Sequence, residues 1–360
     1  MDPTPGLTNI SASLNGTLAS AGCVVESPEY ITNGVVTFHF TSSSHSTSAT
    51  YNVGSTQTYA QVSNVQLNAA TTYTVYASCS ATNGESVRSN STTLTTPKPT
   101  VMPTESWLEL PAEDTQKLYP NAVELKHSVS GERNYTAYYD TSTYTSMWVA
   151  YPLQSKHMGS ESRPSKWTYS SLIDQKYQVN LCDSSYNGDT YSRGHLIPNA
   201  SRNGIKDMQL QTFHVINSVP QVQNSFNSGI WSSLEGDLQK MAKGGETLYI
   251  VTGVAFEKVD ETKSVSYIQA KDDTKNIPIP NYFYKIVLKV TTNSSGTVTS
   301  ASTIGFWFEN KAYSNSTYTN CAVSVDQVEQ WTGFDFFANL PDGVEASAES
   351  NTNWSSFQSF

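Results

Sequence analysis

The segment TPKPTVMPT, Thr96 to Thr104, constrains the fold of this 360-residue chain most strongly. Its three prolines in nine residues lack backbone donors and hold the chain extended, so neither a helix nor a sheet continues through it. The sequence also changes in texture across this segment. We therefore predict two separately folded domains, at residues 1–96 and 105–360, joined by a stiff linker at residues 97–104.

The residues before the linker have the pattern of β-strands. GVVTFHFTSS, TTYTVYASCS and STTLTT alternate apolar and polar side chains between Asn-Gly and Ser-rich turns, which predicts an all-β sandwich. The stretch from Val65 to Thr96 resembles a fibronectin type III domain, with Leu67 and Tyr73 in the positions of that family's leucine and tyrosine corner. The resemblance implies an immunoglobulin/fibronectin III-like sandwich in which Tyr73 hydrogen-bonds back to its own chain.

The residues after the linker combine strands with an amphipathic helix. YTSMWVAYPL, ETLYIVTGVAF and NYFYKIVLKV read as strands, and SFNSGIWSSLEGDLQKMAKGG as a helix that begins at Asn224 or Ser225 and ends at Gly244. Its apolar residues recur every three or four positions and form one stripe: Phe226, Ile230, Leu234, Leu238 and Met241. A second row beside this stripe consists of Asn227, Trp231 and Glu235. The pattern predicts an α+β domain.

The four cysteines are Cys23, Cys79, Cys182 and Cys321, and they lack the CxxC spacing of a zinc site. Two lie early and two late, which fits one disulfide of Cys23 with Cys79 and one of Cys182 with Cys321 in an oxidising compartment. Buried free thiols in a reducing compartment are the alternative.

The beginning of the sequence, MDPTPGLTNI, lacks the basic end and the apolar core of a secretory signal. Apolar runs as long as a membrane span are also absent from the sequence. Because Ser, Thr, Asn and Tyr are abundant and Lys is scarce, we expect an extracytoplasmic protein whose export signal is not part of this sequence. Such a protein is periplasmic, secreted or a cell-surface lipoprotein.

Residues with catalytic chemistry lie in YSRGHLIPNA, Tyr191 to Ala200, and in the predicted helix. A strand that ends at His195, followed by a helix whose first turn carries Asn227, can hold one hard metal ion beside one imidazole. Phosphodiester hydrolysis needs a base near neutral pH, a cation for the phosphate oxygens and a further positive group as charge develops. His195, a magnesium ion at Asn227 and an arginine would meet these three needs.

Three motifs of this region resemble the DNA/RNA non-specific endonucleases, which are ββα-metal nucleases. SRGH, Ser192 to His195, matches the family's Asp-Arg-Gly-His motif, and NSVPQ, Asn217 to Gln221, matches Asn-x-x-Pro-Gln. NSGIWSSLE, Asn227 to Glu235, matches the helix motif Asn-x-Gly-x-Trp-x-x-Leu-Glu. The resemblance covers essentially all of the chain after the linker. It implies the ββα-metal nuclease fold with a central, mainly antiparallel sheet.

The resemblance also implies roles for individual residues. His195 is the general base that activates water, and Asn227 is the direct ligand of Mg²⁺, for which Mn²⁺ or another divalent ion can substitute. Glu235 holds a metal-bound water, and Asn217 orients the site. Cleavage leaves 5′-phosphate and 3′-hydroxyl ends.

Two arginines complete the implied site. Arg193 faces phosphate or braces the loop, and Arg163, in SRPSKW, stabilises the pentacovalent phosphate. The residues after the linker carry 19 Lys and Arg against 27 Asp and Glu, which is not the charge of a tight DNA-binding protein. We therefore expect a local positive cleft, to which Arg202 and Lys206 also contribute, and weak, salt-sensitive substrate binding.

The sequence departs from the family pattern at a few positions. Ser192 replaces the family's Asp, so a hydroxyl makes a weaker hydrogen bond where a carboxylate is expected. Gln239 stands where some relatives place an arginine, and the segment from Pro220 to Asn227 is one residue longer. Trp167 and Trp231 are predicted to pack rather than to stack on bases.

The sequence thus predicts a magnesium-dependent endonuclease that hydrolyses DNA and RNA without sequence specificity. The β-sandwich before it would serve as a spacer, or as a module that contacts a cell surface, a carbohydrate or a protein. The sequence is compatible with a homodimer. The alternative is a catalytically silent, nuclease-like binding or scaffolding protein, with Ser192 as the first sign of lost activity.

Overall fold

The computed structural model describes residues 4–15, 18–43, 45–68, 71–96, 107–112, 118–315 and 317–360. The chain forms two compact units, Met1–Thr100 and Val101–Phe360. The predicted linker at residues 97–104 lies outside the described residues. Within the described ranges, every helix is too short or too polar to cross a membrane.

The first unit consists of antiparallel strands in two sheets. Its strands are β1 (Gly6–Asn15), β2 (Leu18–Glu26), β3 (Val35–Thr41), β4 (Ser46–Asn52), β5 (Tyr59–Gln66), β6 (Thr72–Ser80), β7 (Ser86–Arg88) and β8 (Thr92–Thr95). One sheet has the order β1-β2-β5 and the other β4-β3-β6-β7, and β8 also pairs with β6. Every second residue of β3 and β6 is buried, and both sheets contribute side chains to one core.

Tyr73 in β6 is fully buried, and its hydroxyl group has two partners. It accepts a hydrogen bond from the backbone N–H of Asn68, five residues earlier, at 3.1 Å. It also lies 2.8 Å from Nδ1 of His45. The bond back to its own chain that was expected for Tyr73 is therefore present.

The second unit is built on an antiparallel sheet of seven strands with the order β19-β18-β17-β14-β11-β10-β9. The strands of the sheet are β9 (Ala122–Val129), β10 (Glu132–Asp140), β11 (Thr145–Leu153), β14 (Leu248–Ala255), β17 (Tyr282–Thr292), β18 (Val298–Glu309) and β19 (Ala322–Val323). Two short hairpins stand outside it: β12 (Tyr191–His195) with β13 (Ser218–Val222), and β15 (Tyr267–Ile268) with β16 (Ile277–Pro278). The predicted antiparallel sheet is thus present.

The α-helices of this unit are α1 (Lys206–Gln211), α2 (Ser232–Lys243), α3 (Val325–Thr332), α4 (Asp342–Ala348) and α5 (Trp354–Ser359). Strands β11 and β14 are buried along their whole length, as is most of β17. Continuous burial of this kind requires cover on both faces of a sheet, and it explains the nearly unbroken apolar runs of these strands. Helices α3, α4 and α5 all pack on β18.

The segment before α2 differs from the predicted helix. Residues Gln223–Trp231 form a kinked π-helical segment that contains three non-helical residues, Asn224, Ser225 (φ 64°) and Gly229, and the α-helix begins only at Ser232. Phe226, Ile230 and Trp231 are all buried. In an α-helix, Trp231, five positions after Phe226, would point to a different side of the helix from Phe226. A wider turn places both Ile230 and Trp231 on the side of Phe226, so the burial of all three favours the π-helical turn. The prediction of one regular helix from Asn224 or Ser225 is therefore wrong.

All four cysteines are free thiols in this structure, so the two predicted disulfides are not confirmed. Cys23 and Cys79 lie in the same core, where burial raises the pKa of Cys23 to about 11 and the neighbouring Cys79 adds to the rise. Cys182 and Cys321 pack against different hydrophobic clusters of the second unit. Packing therefore brings the first pair near each other and gives no support to the second.

Candidate active site

The hairpin of β12 and β13 positions His195 at its end. In the antiparallel register, Ser192 faces Gln221, Gly194 faces Val219 and His195 faces Ser218. A Cβ atom on Gly194 would lie only 2.5 Å from Cβ of Gln221. This contact explains the glycine of SRGH, because a side chain there would force the two strands apart.

The imidazole of His195 packs against two aromatic rings, which also contact each other with their centroids 5.2 Å apart. Its centroid lies 4.5 Å from that of Trp167 and 4.9 Å from that of Phe213. Burial lowers the pKa of His195 to about 3, Arg163 and Arg193 add to this effect, and a hydrogen bond to the Arg193 backbone opposes it. Nε2 is buried and has no hydrogen-bond partner among the described residues. A neutral imidazole with a free Nε2 can accept a proton.

His195 opens onto a cavity of about 560 Å³. Five residues that the sequence singled out for the site line this cavity: Arg163, Arg193, His195, Asn227 and Glu235. Ser192, Gln223 and Gln239 line it as well. The structure therefore brings together, at one concave surface, an imidazole, an amide, a carboxylate and two guanidinium groups.

Asn227 lies in the π-helical segment, and its amide is held by two side chains. Nδ2 donates one hydrogen bond to Ser192 Oγ at 2.9 Å and another to Gln223 Oε1 at 3.1 Å. Ser192 Oγ in turn donates to the Gln221 carbonyl at 3.3 Å. Both amide hydrogens are thereby used, and Oδ1 has no hydrogen bond from the residues that the structure describes. A neutral oxygen held in this way suits a hard divalent cation.

Glu235 lies in the first turn of α2, and only 16% of its side chain is exposed. Its Oε1 lies 3.8 Å from Nζ of Lys285, which is fully buried in β17 and donates to Oγ1 of Thr252 in β14. Burial raises the pKa of Glu235, and the positive charge of Lys285 reduces this rise. Burial lowers the pKa of Lys285, and the negative charge of Glu235 reduces this fall. Lys285 therefore stabilises a carboxylate at the base of the cavity.

The two arginines differ in what they contact. Nη1 of Arg193 donates to the carbonyls of Leu181 (2.7 Å) and Ser184 (3.1 Å), which are the bonds of a side chain that braces a loop. Arg163 is exposed, and its guanidinium carbon lies 4.9 Å from the centre of the Phe213 ring. Within the described ranges it makes neither a hydrogen bond nor an ion pair. Arg163 is therefore available to an anion in the cavity.

The comparison with known proteins agrees with this geometry. Residues 114–343 match the sequence profile of the DNA/RNA non-specific endonucleases. The chain belongs to the DNA/RNA non-specific endonuclease family. The predicted activity, endonucleolytic hydrolysis of DNA and RNA without sequence specificity, is confirmed at the level of this family.

Several nucleases are similar to this member of the family. A nuclease of Nostoc sp. is 27% identical over 225 residues, which cover 62% of this chain and 77% of that protein. A Serratia marcescens nuclease is 25% identical over 222 residues (60% and 77%), and bovine mitochondrial Endonuclease G is 24% identical over 179 residues (49% and 58%). The crystal structure of the EndoG/EndoGI complex covers 62% of this chain and 90% of its own, at 20% identity and a TM-score of 0.51. This likeness shows the ββα-metal nuclease fold.

Two residues singled out from the sequence of this endonuclease lie away from the cavity surface. Asn217 is fully buried; its Oδ1 accepts from the Ile197 N–H, and its Nδ2 donates to the carbonyls of Ile197 and Thr212. It thus fixes the chain that follows His195. Arg202 is also fully buried and donates to Asn134, Pro152 and Ser201, so the prediction that it contributes to a positive cleft is wrong.

Other functional contacts have no signal in the sequence. Gln223 and Lys285 look like ordinary polar residues of a helix start and a strand, and only the fold brings them to Asn227 and Glu235. Trp167 and Trp231 are buried, and their predicted packing role is confirmed. Lys206 is exposed at the start of α1 and does not line the cavity.

Proposed function

We propose that this endonuclease uses His195 as its general base and holds Mg²⁺ at Asn227, with Mn²⁺ able to replace Mg²⁺. Nucleases of this family are generally dependent on a divalent metal. One observation carries the proposal: a single cavity is lined by a neutral His195, Asn227 and Arg163. Among the described residues, His195 Nε2, Asn227 Oδ1 and the Arg163 guanidinium group have no hydrogen-bond or ion-pair partner.

The residues of the cavity fit a hard divalent ion. Asn227 would bind it directly through Oδ1, and Glu235 would hold one of its waters, since both side chains line the same cavity. When bound, the ion would offset the negative charge that develops on the phosphate and on the leaving oxygen. Because the amide ligand is neutral, the ion would keep its full charge towards the phosphate.

The protein side chains would then act on water and phosphate. His195 Nε2 would take one proton from the attacking water, and the rings of Trp167 and Phe213 would fix the plane of the imidazole. Arg163 would pair with a phosphate oxygen as negative charge increases. The bond from phosphorus to the 3′ oxygen would break, and the leaving 3′ oxygen would take a proton from a second water molecule, which leaves a 5′-phosphate and a 3′-hydroxyl group.

The test is cleavage of plasmid DNA and of RNA by the full chain, with Mg²⁺, with Mn²⁺ and with EDTA. We expect both substrates to be cut in either metal and neither in EDTA. Asn227→Ala should raise the Mg²⁺ concentration for half-maximal activity about tenfold or more, whereas Gln239→Ala, a change on the same cavity, should leave that concentration unchanged. Absence of cleavage in every divalent metal would favour the catalytically silent binding protein instead.

We also propose that the first unit is a fibronectin type III-like sandwich, separate from the nuclease domain and joined to it by residues 97–104. Its two antiparallel sheets with one shared core and the hydrogen bond of Tyr73 to Asn68 support this proposal. Limited proteolysis tests the boundary, and cleavage within 97–104 that releases two resistant fragments is the expected result.

An extracytoplasmic location, contact of the sandwich with a cell surface, carbohydrate or protein, and homodimerisation are further parts of the proposal. The richness of the first unit in Ser and Thr supports an external location. Fractionation of the source cells would test the location, and sedimentation of the full chain would test the dimer.

A further inference from the structure

Three carboxylates of the second unit converge where α4 meets α3. Asp326 and Glu329 lie three residues apart on α3, and Glu349 directly follows α4. Their ligand oxygens all lie within 4.8 Å of one another. The Glu349 carbonyl also accepts hydrogen bonds from the backbone N–H groups of Val325 (2.9 Å) and Asp326 (3.4 Å), which fixes the two helix ends against each other. We call these three carboxylates the acidic site.

Glu349 is the buried member of the acidic site. It is 5% exposed, and its Oε1 has no hydrogen-bond partner among the described residues. Glu329 is half-buried, with Oε1 bonded to the Phe336 N–H at 2.7 Å, and Asp326 is exposed. The ion pairs of the described residues do not include any of the three. The buried member of the acidic site therefore has an unpartnered oxygen, and its carboxylate lies against those of Asp326 and Glu329.

The charged groups that act on the acidic site from the described part of the chain are all negative. Burial raises the pKa of Glu349 to about 9, and Glu329, Glu345, Asp326 and Asp335 all add to the rise. Burial likewise raises the pKa of Glu329 to about 7. A buried carboxylate is unfavourable unless it is paired or coordinates a metal. Since Asp326 is exposed, a cation can reach the site from solvent.

We propose that Asp326, Glu329 and Glu349 form a second divalent-cation site, which binds Ca²⁺ and holds α4 against α3. Carboxylate oxygens lie about 2.4 Å from Ca²⁺, so two of them on one ion are up to about 4.8 Å apart, whereas the corresponding limit for Mg²⁺ is about 4.2 Å. The ligand oxygens of the acidic site lie within the limit for Ca²⁺. Three carboxylates from two helices suit the flexible coordination of Ca²⁺ better than the near-ideal octahedron that Mg²⁺ needs, and water would fill the remaining positions on the open side.

The acidic site is distinct from the active-site cavity. None of its three residues lines that cavity, and Glu349 lies beyond residues 114–343, where the match to the endonuclease family ends. The role of the ion would be structural, because it would link the residue after α4 to the first two turns of α3. Nuclease activity in Mg²⁺ should therefore not depend on Glu349.

The experiment measures thermal unfolding of the full chain between 0 and about 10 mM CaCl₂ after removal of metals with EDTA. The melting temperature should rise by about 5 °C once Ca²⁺ is in hundredfold excess over its Kd. Asn227→Ala should show the same rise, because the cavity is a separate site. Glu349→Gln should melt higher than wild type in EDTA, since the wild-type carboxyl group must take up a proton to be buried and the amide need not, and it should not respond to Ca²⁺.

Glu309→Gln is the matched control. It removes one carboxylate of the same unit that is paired with Lys311, and it should respond to Ca²⁺ like the wild type. If Glu349→Gln does not fold, Asp326→Asn, a change of an exposed residue, should weaken the Ca²⁺ response about tenfold. A wild-type melting temperature that ignores Ca²⁺ would overturn the proposal and indicate that Glu349 keeps a proton instead. A wild-type Ca²⁺ response in Glu349→Gln or in Asp326→Asn would also overturn it.

Discussion

The active-site cavity and the acidic site each contain a buried carboxylate, but they compensate its charge differently. Glu235 has Lys285 at 3.8 Å, and Arg163 and Arg193 line the same cavity. The charged groups of the described residues that act on Glu349 are other carboxylates, which raise its pKa. The cavity is therefore balanced by the protein itself and can receive an anionic substrate together with an ion. The acidic site stays unbalanced until a proton or a cation binds.

The largest expected effect is on nuclease activity, which should depend on the active-site cavity and not on the acidic site. His195→Ala should lower the cleavage rate of DNA and RNA by about 10²–10⁴-fold, because the attacking water loses its proton acceptor. Glu349→Gln should cleave at the wild-type rate in Mg²⁺. Both rates are measured on the same plasmid, with circular dichroism to show that each variant is folded. Full activity in His195→Ala would remove the general base from the mechanism.

The next effect tests whether Lys285 balances Glu235. Lys285→Met should destabilise the protein by about 3 kcal/mol, because it leaves a buried carboxylate without its cation. The double variant Lys285→Met with Glu235→Gln should recover most of this loss. Urea unfolding of the single and double variants measures both values. Equal stability of the single variant and the wild type would mean that Glu235 is already neutral, and the contrast with Glu349 would fail.

A smaller effect appears in the pH dependence of stability in EDTA. In the folded protein the pKa of Glu349 is about 9, above its usual 4.5. The contribution of Glu349 to the free energy of unfolding is therefore complete below pH 4.5 and is lost as the pH rises towards 9. Burial lowers the pKa of His127 to about 3 and of His214 to about 4, so their contributions are complete above pH 6.5 and are lost as the pH falls. We expect Glu349→Gln to gain on the order of 2 kcal/mol over wild type between pH 5 and 9.

Urea unfolding at several pH values measures this gain. Glu309→Gln serves as the control, and it should follow the wild type across the range. A gain of Glu349→Gln that is the same at pH 5 and at pH 9 would show that Glu349 does not titrate in this interval.

The smallest effect concerns the hydroxyl group that holds the amide of Asn227. Ser192→Ala removes one hydrogen bond from Nδ2, worth about 1 kcal/mol, and should raise the Mg²⁺ concentration for half-maximal cleavage about fivefold. Ser185→Ala changes another hydroxyl that lines the cavity and should have no such effect. If Ser192→Ala needs no more Mg²⁺ than wild type, Gln223 alone is sufficient to orient Asn227.

The sequence predicted the parts of the fold that follow from local pattern. The alternation of apolar and polar residues predicted the strands of the first unit, and largely apolar segments predicted β11, β14 and β17. The end of the long helix at Gly244 was correct. Its beginning was not, because the apolar stripe of Phe226 and Ile230 fits an α-helix and a π-helix equally well. Only the packing of Trp231 against Phe283 and Phe308 distinguishes the two forms.

The candidate site was predictable only where motifs carry it. His195, Asn227 and Glu235 stand in motifs, and the structure gathers them at one cavity. Arg202 and Lys285 were not predictable, because their burial depends on partners far along the chain. Arg202 is buried by bonds to Asn134, 68 residues earlier, and the ion-pair partner of Lys285 lies on another element. Ion pairs and hydrogen bonds between residues that lie far apart along the chain produce no periodicity or motif from which they can be predicted.

The wide turn that carries Asn227 also has a consequence for changes in chain length. A π-helical turn contains about one residue more than an α-helical turn. We therefore expect that deletion of one residue between Gln223 and Trp231 tightens this wide turn and leaves the rotation of α2 on the sheet unchanged. The position of Glu235 on α2 would then stay the same while the number of residues around Asn227 changes.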